Sequence, residues 1–526
     1  MIKKGYTLNR ADLSKIVLSI IFISLVFLPL MSMFINMDAK SIQSVISSPV
    51  FGTSIKNSLI STTISTVITL VLAYVLAMSI ERTNIKLKGL FSIIFVLPML
   101  VPSISNGMGL TILFGNNGFL TKLFNLPEGI YGMWGIVMGS VLYAFPVAFL
   151  MLSDVIRYED ASPYEAARVL GLSKFQQFTA ITWPYIRKPL ITVVFSTFTL
   201  IITDYGVPLM IGGKYTTIPV VMYQEVIGQL NFGKGTVYGT LLLAPAIIAF
   251  IIDLLNRDKG NSAYAPKKYI PSNNTVGKFF AYVMCGIATI YTLMPIVSFV
   301  LLSFSKDYPK NMRFTLEHIE KTFNLRADEY LFNSILIAML VAIVGVAVAF
   351  LTAYLSARMK SRVSKFLHLS SMTSAAIPGV VLGLSYVLAF KSTPIYGTIV
   401  ILVMVNLVHF ISSPYLMIYN SLSKINENLE SVALTMGISR IHMIKDVFIP
   451  MCKNTLFEMF SYFFVNCMIT ISAVSFLANT SNKPIALMIN QFEAQMQLES
   501  AAVVSLMILL VNLIIKGAFH FLKKKA

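Results

Sequence analysis

Residues 153–190 read SDVIRYEDASPYEAARVLGLSKFQQFTAITWPYIRKPL, and residues 429–450 read LESVALTMGISRIHMIKDVFIP. In the first stretch Asp160 offers an acceptor just ahead of Ser162 and Pro163. That pattern starts helices, because a Pro at an early helical position has no needed N–H to lose. Tyr164 to Leu170 then predict one short helix carrying small Ala166 and Ala167. Gly171 supplies the stop, since Gly accepts the left-handed backbone that ends helices. A second amphipathic helix is predicted from about Ser173 to Pro184. Two short helices at a sharp angle make a compact knob, and its Ala side chains let a partner surface come close. An ordinary pair of interfacial helices would give the same local pattern. The second stretch repeats the punctuation, with Gly437 and Pro450 each 266 residues after Gly171 and Pro184.

The surroundings of these stretches are apolar. Of 526 residues 56% are hydrophobic and 12% charged, with a net charge of +18. A mean hydropathy of +0.76 excludes a string of soluble domains, which need far more surface charge. A helix needs about 20 apolar residues to cross the hydrocarbon. Candidate spans are 16–35, 57–80, 90–113, 131–153, 190–211, 236–255, 279–304, 331–356, 366–390, 395–419, 455–478 and 500–519. Pro98, Pro102 and Gly107 interrupt the third, and Pro378 and Gly379 the ninth. Such breaks are tolerated where neighbours cover the freed carbonyls or where backbone lines a cavity. The basic start MIKKGYTLNRADLSK leads into the first span without a small-x-small cleavage site, so a retained span is predicted.

With the N-terminus cytoplasmic, the twelve spans return the C-terminus to the same side. The cytoplasmic segments then hold 29 Lys and Arg and the outer ones 12, the asymmetry of the positive-inside rule. The excess charge is therefore an orientation signal and gives no reason to expect nucleic acid. Three Cys and five His show no ligand spacing, so no metal site is expected.

The 266-residue offset also lays Pro29 on Pro295. The polar stretch NRDKGNSAYAPKKYIPSNNTVGK reads as a linker. The predicted organisation is a first half at 1–255 with its patterned loop near 154–189, a linker at 256–278, and a second half at 279–526 with its loop near 420–454. Six spans per half make the repeat parallel, related by an axis along the membrane normal. The predicted fold class is an all-α polytopic membrane protein, about twelve transmembrane helices in two parallel six-helix repeats. A pathway between the halves is the natural consequence.

The spacing Glu165-Ala166-Ala167, three residues, Gly171, nine residues, Ile181-x-Trp183-Pro184 resembles the EAA loop of bacterial ABC importer permeases, E-A-A-x3-G-x9-I-x-L-P. The second copy keeps Ala433, Gly437 and Pro450, but Ser431 stands where the family has Glu. Glu430 lies one residue early, about 100° around a helix, so it cannot simply replace it. Trp183 and Ile449 also depart from the family's Leu. The resemblance implies a type I importer permease fold and a bacterial cytoplasmic membrane location. It implies that Glu165, Ala166, Ala167, Gly171 and Pro184 dock one ATP-hydrolysing subunit, and Ser431, Ala433, Gly437 and Pro450 another. It also implies an extracytoplasmic solute-binding protein, with ATP and magnesium used by the partner subunits and no cofactor on this chain. The closest approach to a phosphate loop, Pro208 to Tyr215, lacks the first Gly and has Tyr where Ser or Thr would bind magnesium. No catalytic constellation stands out.

The segment Asp204-Tyr205-Gly206-Val207-Pro208-Leu209 resembles one in fused ferric-iron and 2-aminoethylphosphonate permeases. Thr470 to Leu477 in the second half looks more like the aminoethylphosphonate branch, so that solute is the expectation and ferric iron the alternative. Asp204, Tyr205, Gly206 and Pro208 are candidate pathway or gate residues. An ionisable group inside the membrane usually faces a cavity or partner, although an Asp capping a turn reads the same way. Glu458 and His409 read as structural. Outer segments 36–56, 115–130, 212–235, 305–330 and 479–499 would meet the solute-binding protein or act as lids. An ion-driven secondary transporter, which also uses twelve spans in two halves, is the competing class.

Overall fold

The computed structural model describes residues 10–125, 129–256, 267, 269, 271 and 273–525. The basic residues 1–9 and most of the 256–278 linker lie outside the described residues. Among the described residues eight helices are long and apolar enough to cross a membrane, and three bent helix pairs bring the number to eleven. Lys453–Ile469, at 17 residues, takes the place of the remaining predicted span. The chain is an all-α polytopic membrane protein, with one short antiparallel hairpin at Ser305–Asp307 and Asn311–Phe314.

Local sequence explains where the helices begin and break. The second span starts earlier than hydropathy predicts, at Pro49, because Ser48 caps it and Pro49 occupies its first turn. Its buried face is a strip of small polar residues, Ser54, Ser58, Ser61, Ser65 and Thr69, which lets Met133–Arg157 pack closely against it. The third span is two helices, Lys88–Val96 with a 3₁₀ turn to Leu100, then Ser103–Phe114, bent by 101° at Val101–Pro102. The ninth repeats this with Arg362–Met372, a 3₁₀ turn to Ala376, and Gly379–Phe390, bent by 102° at Ile377–Pro378. Pro98 and Gly107 break nothing further. Pro98 sits in the 3₁₀ turn, where its carbonyl accepts from Asn106 Nδ2 at 3.2 Å. The freed Leu100 carbonyl accepts from Asn512 Nδ2 at 2.8 Å, from the other half.

Each half grips the other through its first helix. Arg10–Ile35 packs on Gly379–Phe390 and Arg362–Met372 of the second half, and Tyr386 Oη donates to the Leu25 carbonyl at 2.9 Å. Thr275–Phe304 packs on Ser103–Phe114, Pro49–Arg82 and Lys88–Val96 of the first. A Cβ on Gly109 would lie 2.5 Å from Pro295 Cα, so only Gly permits that crossing. Two outer segments fold inward rather than lying exposed. Ile218–Tyr223 is largely buried, as are Ala486, Met488, Ile489, Asn490 and Phe492 of Ala486–Ala494.

Candidate docking loops and central cavity

The first loop builds the predicted knob from its caps. Ser162–Val169 is a helix, and Asp160 Oδ1 accepts from the Ser162 N–H at 3.0 Å and its hydroxyl at 2.9 Å. Gly171 has φ +70°; the Leu172 N–H reaches the Ala167 carbonyl at 3.0 Å and the Gly171 N–H that of Arg168 at 3.1 Å. These are the paired bonds of a Schellman stop. Asn428–Thr435 ends identically, with Gly437 at φ +70° and the Ile438 N–H on the Ala433 carbonyl at 2.9 Å. Ala167 and Ala433 are buried, whereas Ala166 and Ser431 face outward.

The predicted stop at Pro184 is corrected by the structure. The helix that begins at Lys174 continues without a break to Ile202. A π-helical turn at Phe178–Thr182 precedes Pro184, and another at Ile444–Phe448 precedes Pro450. Proline has no N–H for the carbonyl four residues back and its ring crowds that oxygen. The widened turn relieves this without ending the helix. Pro184 and Pro450 therefore shape the entry of a span rather than separating it from the loop.

The two loops are anchored differently. Arg82 and Glu159 form a buried ion pair, and Tyr164 Oη donates to Glu159 Oε1 at 2.5 Å. Burial pushes the Glu159 carboxyl up from its usual range, against the opposing pull of Tyr164 and Arg82. Two linker residues complete this anchor. Lys267 pairs with Glu165 at 2.7 Å, and its carbonyl accepts from the Ala161 N–H at 3.0 Å. Tyr269 lies under the Arg82 guanidinium at 3.8 Å. In the second loop Glu430 turns inward onto Arg358 at 2.5 Å, a guanidinium only 2% exposed. Arg358 also donates to the Ile425 and Asn426 carbonyls at 2.6 and 2.8 Å. Glu430 is thus a half-buried anchor for a buried arginine and not a substitute for the outward Glu165. Beside it, Lys15 of the first helix donates to the Ser361 hydroxyl at 3.0 Å.

Both knobs expose apolar side chains that nothing among the described residues covers. Val169, Leu170 and Phe175 are 89%, 76% and 75% exposed, and Leu434, Met436 and Ile441 are 78%, 69% and 77% exposed. Exposed apolar patches of this kind mark surfaces that contact a protein or a membrane.

Between the halves lies a cavity of 660 Å³. Asp204 lines it, at the gap between Trp183–Ile202 and Gly206–Ile211. Its Oδ2 accepts from the Val207 N–H at 3.0 Å, so it both caps a helix and faces the cavity. The other three candidates are off the wall. Tyr205 is buried and crosses between halves, its hydroxyl 2.6 Å from Ser475 Oγ, with Asn490 Nδ2 at 3.3 Å and its ring stacked on Tyr223 at 4.7 Å. Pro208 is packed in its short helix. Gly206 permits a close approach, since a Cβ there would fall 2.4 Å from Ser103 Oγ. The second half makes the reverse contact, where a Cβ on Gly379 would fall 2.3 Å from Ser472 Oγ. Serine and glycine have changed places across the repeat.

His409, which the sequence alone assigns to structure, lines the cavity. It sits 266 residues after Tyr143, another lining residue, and that correspondence is the signal that could have found it. Glu458 does have a structural partner, Lys523. The three Cys are free and buried.

The family described as binding-protein-dependent transport system inner membrane component matches residues 69–257 and 345–526, one segment in each half. The ferric transport system permease protein of Actinobacillus pleuropneumoniae is 24% identical over 408 residues, covering 74% of this chain and 59% of that one. A chain named for ferric transport in Haemophilus influenzae is 24% identical over 429 residues, 77% of this chain and 67% of its own. The thiamine transport system permease protein of Brucella abortus is 24% identical over 230 residues, 42% of each chain. This chain thus spans 59% of the first relative's length and 67% of the second's. Two family segments, one in each half, leave one assignment: the chain belongs to the binding-protein-dependent transport system inner membrane component family.

Proposed function

We propose that this chain is the membrane pathway of an ATP-driven importer, in a bacterial cytoplasmic membrane with both termini cytoplasmic. The observation that carries the reading is the pair of Schellman-capped helices, each exposing an apolar patch that no described residue covers, on the side richer in Lys and Arg. Two ATPase subunits seat on them, the first at Glu165, Ala166 and Gly171, the second at Ser431 and Gly437. These subunits bind ATP and magnesium, and their closure moves the docking helices. A solute-binding protein delivers cargo at the opposite face. Tyr205, bonded across the halves to Ser475, closes the pathway on the side away from the docking loops.

The relatives named for ferric transport favour ferric iron as the cargo over 2-aminoethylphosphonate. The test is uptake by cells expressing the chain together with a partner ATPase and solute-binding protein from its source. Labelled ferric iron should accumulate, and accumulation should stop when the ATPase is deleted or Gly171 is replaced by Asp. Uptake that persists without the ATPase would overturn this reading in favour of secondary transport.

A further inference from the structure

The cavity between the halves has carboxylates in its lining. Its lining includes Asp204 and Asp253 and no Lys or Arg among the described residues. Asp204 is held by neutral donors, the Val207 N–H at 3.0 Å and the Ser103 hydroxyl. No Lys or Arg among the described residues pairs with it. Neutral donors satisfy the carboxylate's oxygens without supplying an opposite charge. An ionised group at membrane depth is costly, and it persists where it faces a cavity and serves a solute. The repeat sharpens this point, because the corresponding position in the second half is Thr470. The second half breaks its span here without a carboxylate, passing from Ile469 into turns over 472–477 where the first half has the helix Gly206–Ile211. The same cavity is lined by further oxygen and nitrogen groups from both halves, Tyr143, Thr203, His409, Tyr462 and Asn466, a set that suits a cation better than an anion.

We infer that Asp204 is a specificity-determining residue of the pathway, taking the positively charged part of the transported solute as it crosses the cavity. The inference rests on the reading of this cavity as the pathway. Among the described residues no three His, Cys, Asp or Glu side chains converge as a resident metal site would require, so the contact is a transit site. Its weakness fits transport, where a solute must leave as readily as it enters.

The test uses the purified full-length chain in detergent and three probes: terbium(III) for a hard metal cation, thiamine for an organic cation, and 2-aminoethylphosphonate for an ammonium on an anion. Methylphosphonate, which has no positive group, is the control. Asp204→Asn keeps an acceptor for the Val207 N–H, so the helix cap survives, and Asp204→Glu restores the charge. Terbium(III) affinity is expected to fall at least tenfold in Asp204→Asn and to recover in Asp204→Glu, with methylphosphonate failing to bind either form. Loss confined to thiamine, or to 2-aminoethylphosphonate, would support the role of Asp204 while identifying a different cargo. Affinity for all three probes unchanged within twofold, or methylphosphonate binding equal to theirs, would overturn it. ATPase activity of the assembled complex, stimulated by its binding protein, tests the importer reading separately.

Discussion

Glu165 and Glu430 show how one position's shift in sequence changes a carboxylate's work. Glu165 is 44% exposed and its Lys267 partner 55% exposed, so screening leaves their pair worth about 0–1 kcal/mol. Arg358 is 2% exposed, and turning its partner carboxylate into an amide leaves a buried guanidinium with neutral acceptors alone. Glu430→Gln should therefore destabilise the chain by about 2 kcal/mol, seen as a lower thermal-unfolding midpoint in detergent. Glu165→Gln should leave that midpoint nearly unchanged while weakening capture of the ATPase subunit. Equal midpoints for the two variants would show that the inward pair anchors nothing. The sequence showed that Glu430 was misplaced for docking, because a one-residue offset is a local fact. It could not show Arg358, whose approach depends on two helices meeting 72 residues apart.

At the scale of elements, the legible features were those with local causes. Caps, the glycine stops and the proline breaks all announce themselves within a few residues. The π-turns did not, because an extra residue in a helix leaves no composition behind and Pro184 alone reads as an ending. The inward folding of Ala486–Ala494 was hidden for a different reason: its polar residues suggest solvent, yet Asn490 spends its amide on Tyr205. The π-turns at Phe178–Thr182 and Ile444–Phe448 carry the angular relation between each docking helix and its span. Deleting Ala180 would remove the extra residue and rotate the docking helix by about 100° relative to the span. Membrane yield and thermal stability should stay near normal while ATP-dependent uptake is lost. Retained uptake would mean that the docking orientation is set elsewhere.

For the whole molecule, the exchange of first helices outweighs the covalent linker. Arg10–Ile35 lies on the second half and Thr275–Phe304 on the first, so each half is incomplete without the other's helix. Residues 1–260 and 261–526 expressed together as two chains should therefore co-purify in detergent as one particle. Separate elution would show that the linker, with Lys267 and Tyr269 on the first docking loop, is what joins them. The duplication itself was visible from three matched prolines and glycines, but the exchange was not, since hydropathy marks spans without saying which neighbours they choose.

The reversed contact of Ser103 against Gly206 and Gly379 against Ser472 has a consequence for how such a chain can evolve. Each break has room for one hydroxymethyl group, supplied from opposite partners in the two halves. Copying a single residue from one half to the other would put two serines in a space that holds one, or leave two glycines and a void. The ancestral repeats can therefore have diverged here only by coupled exchange, and any chimaera that recombines them must inherit both members of a contact together.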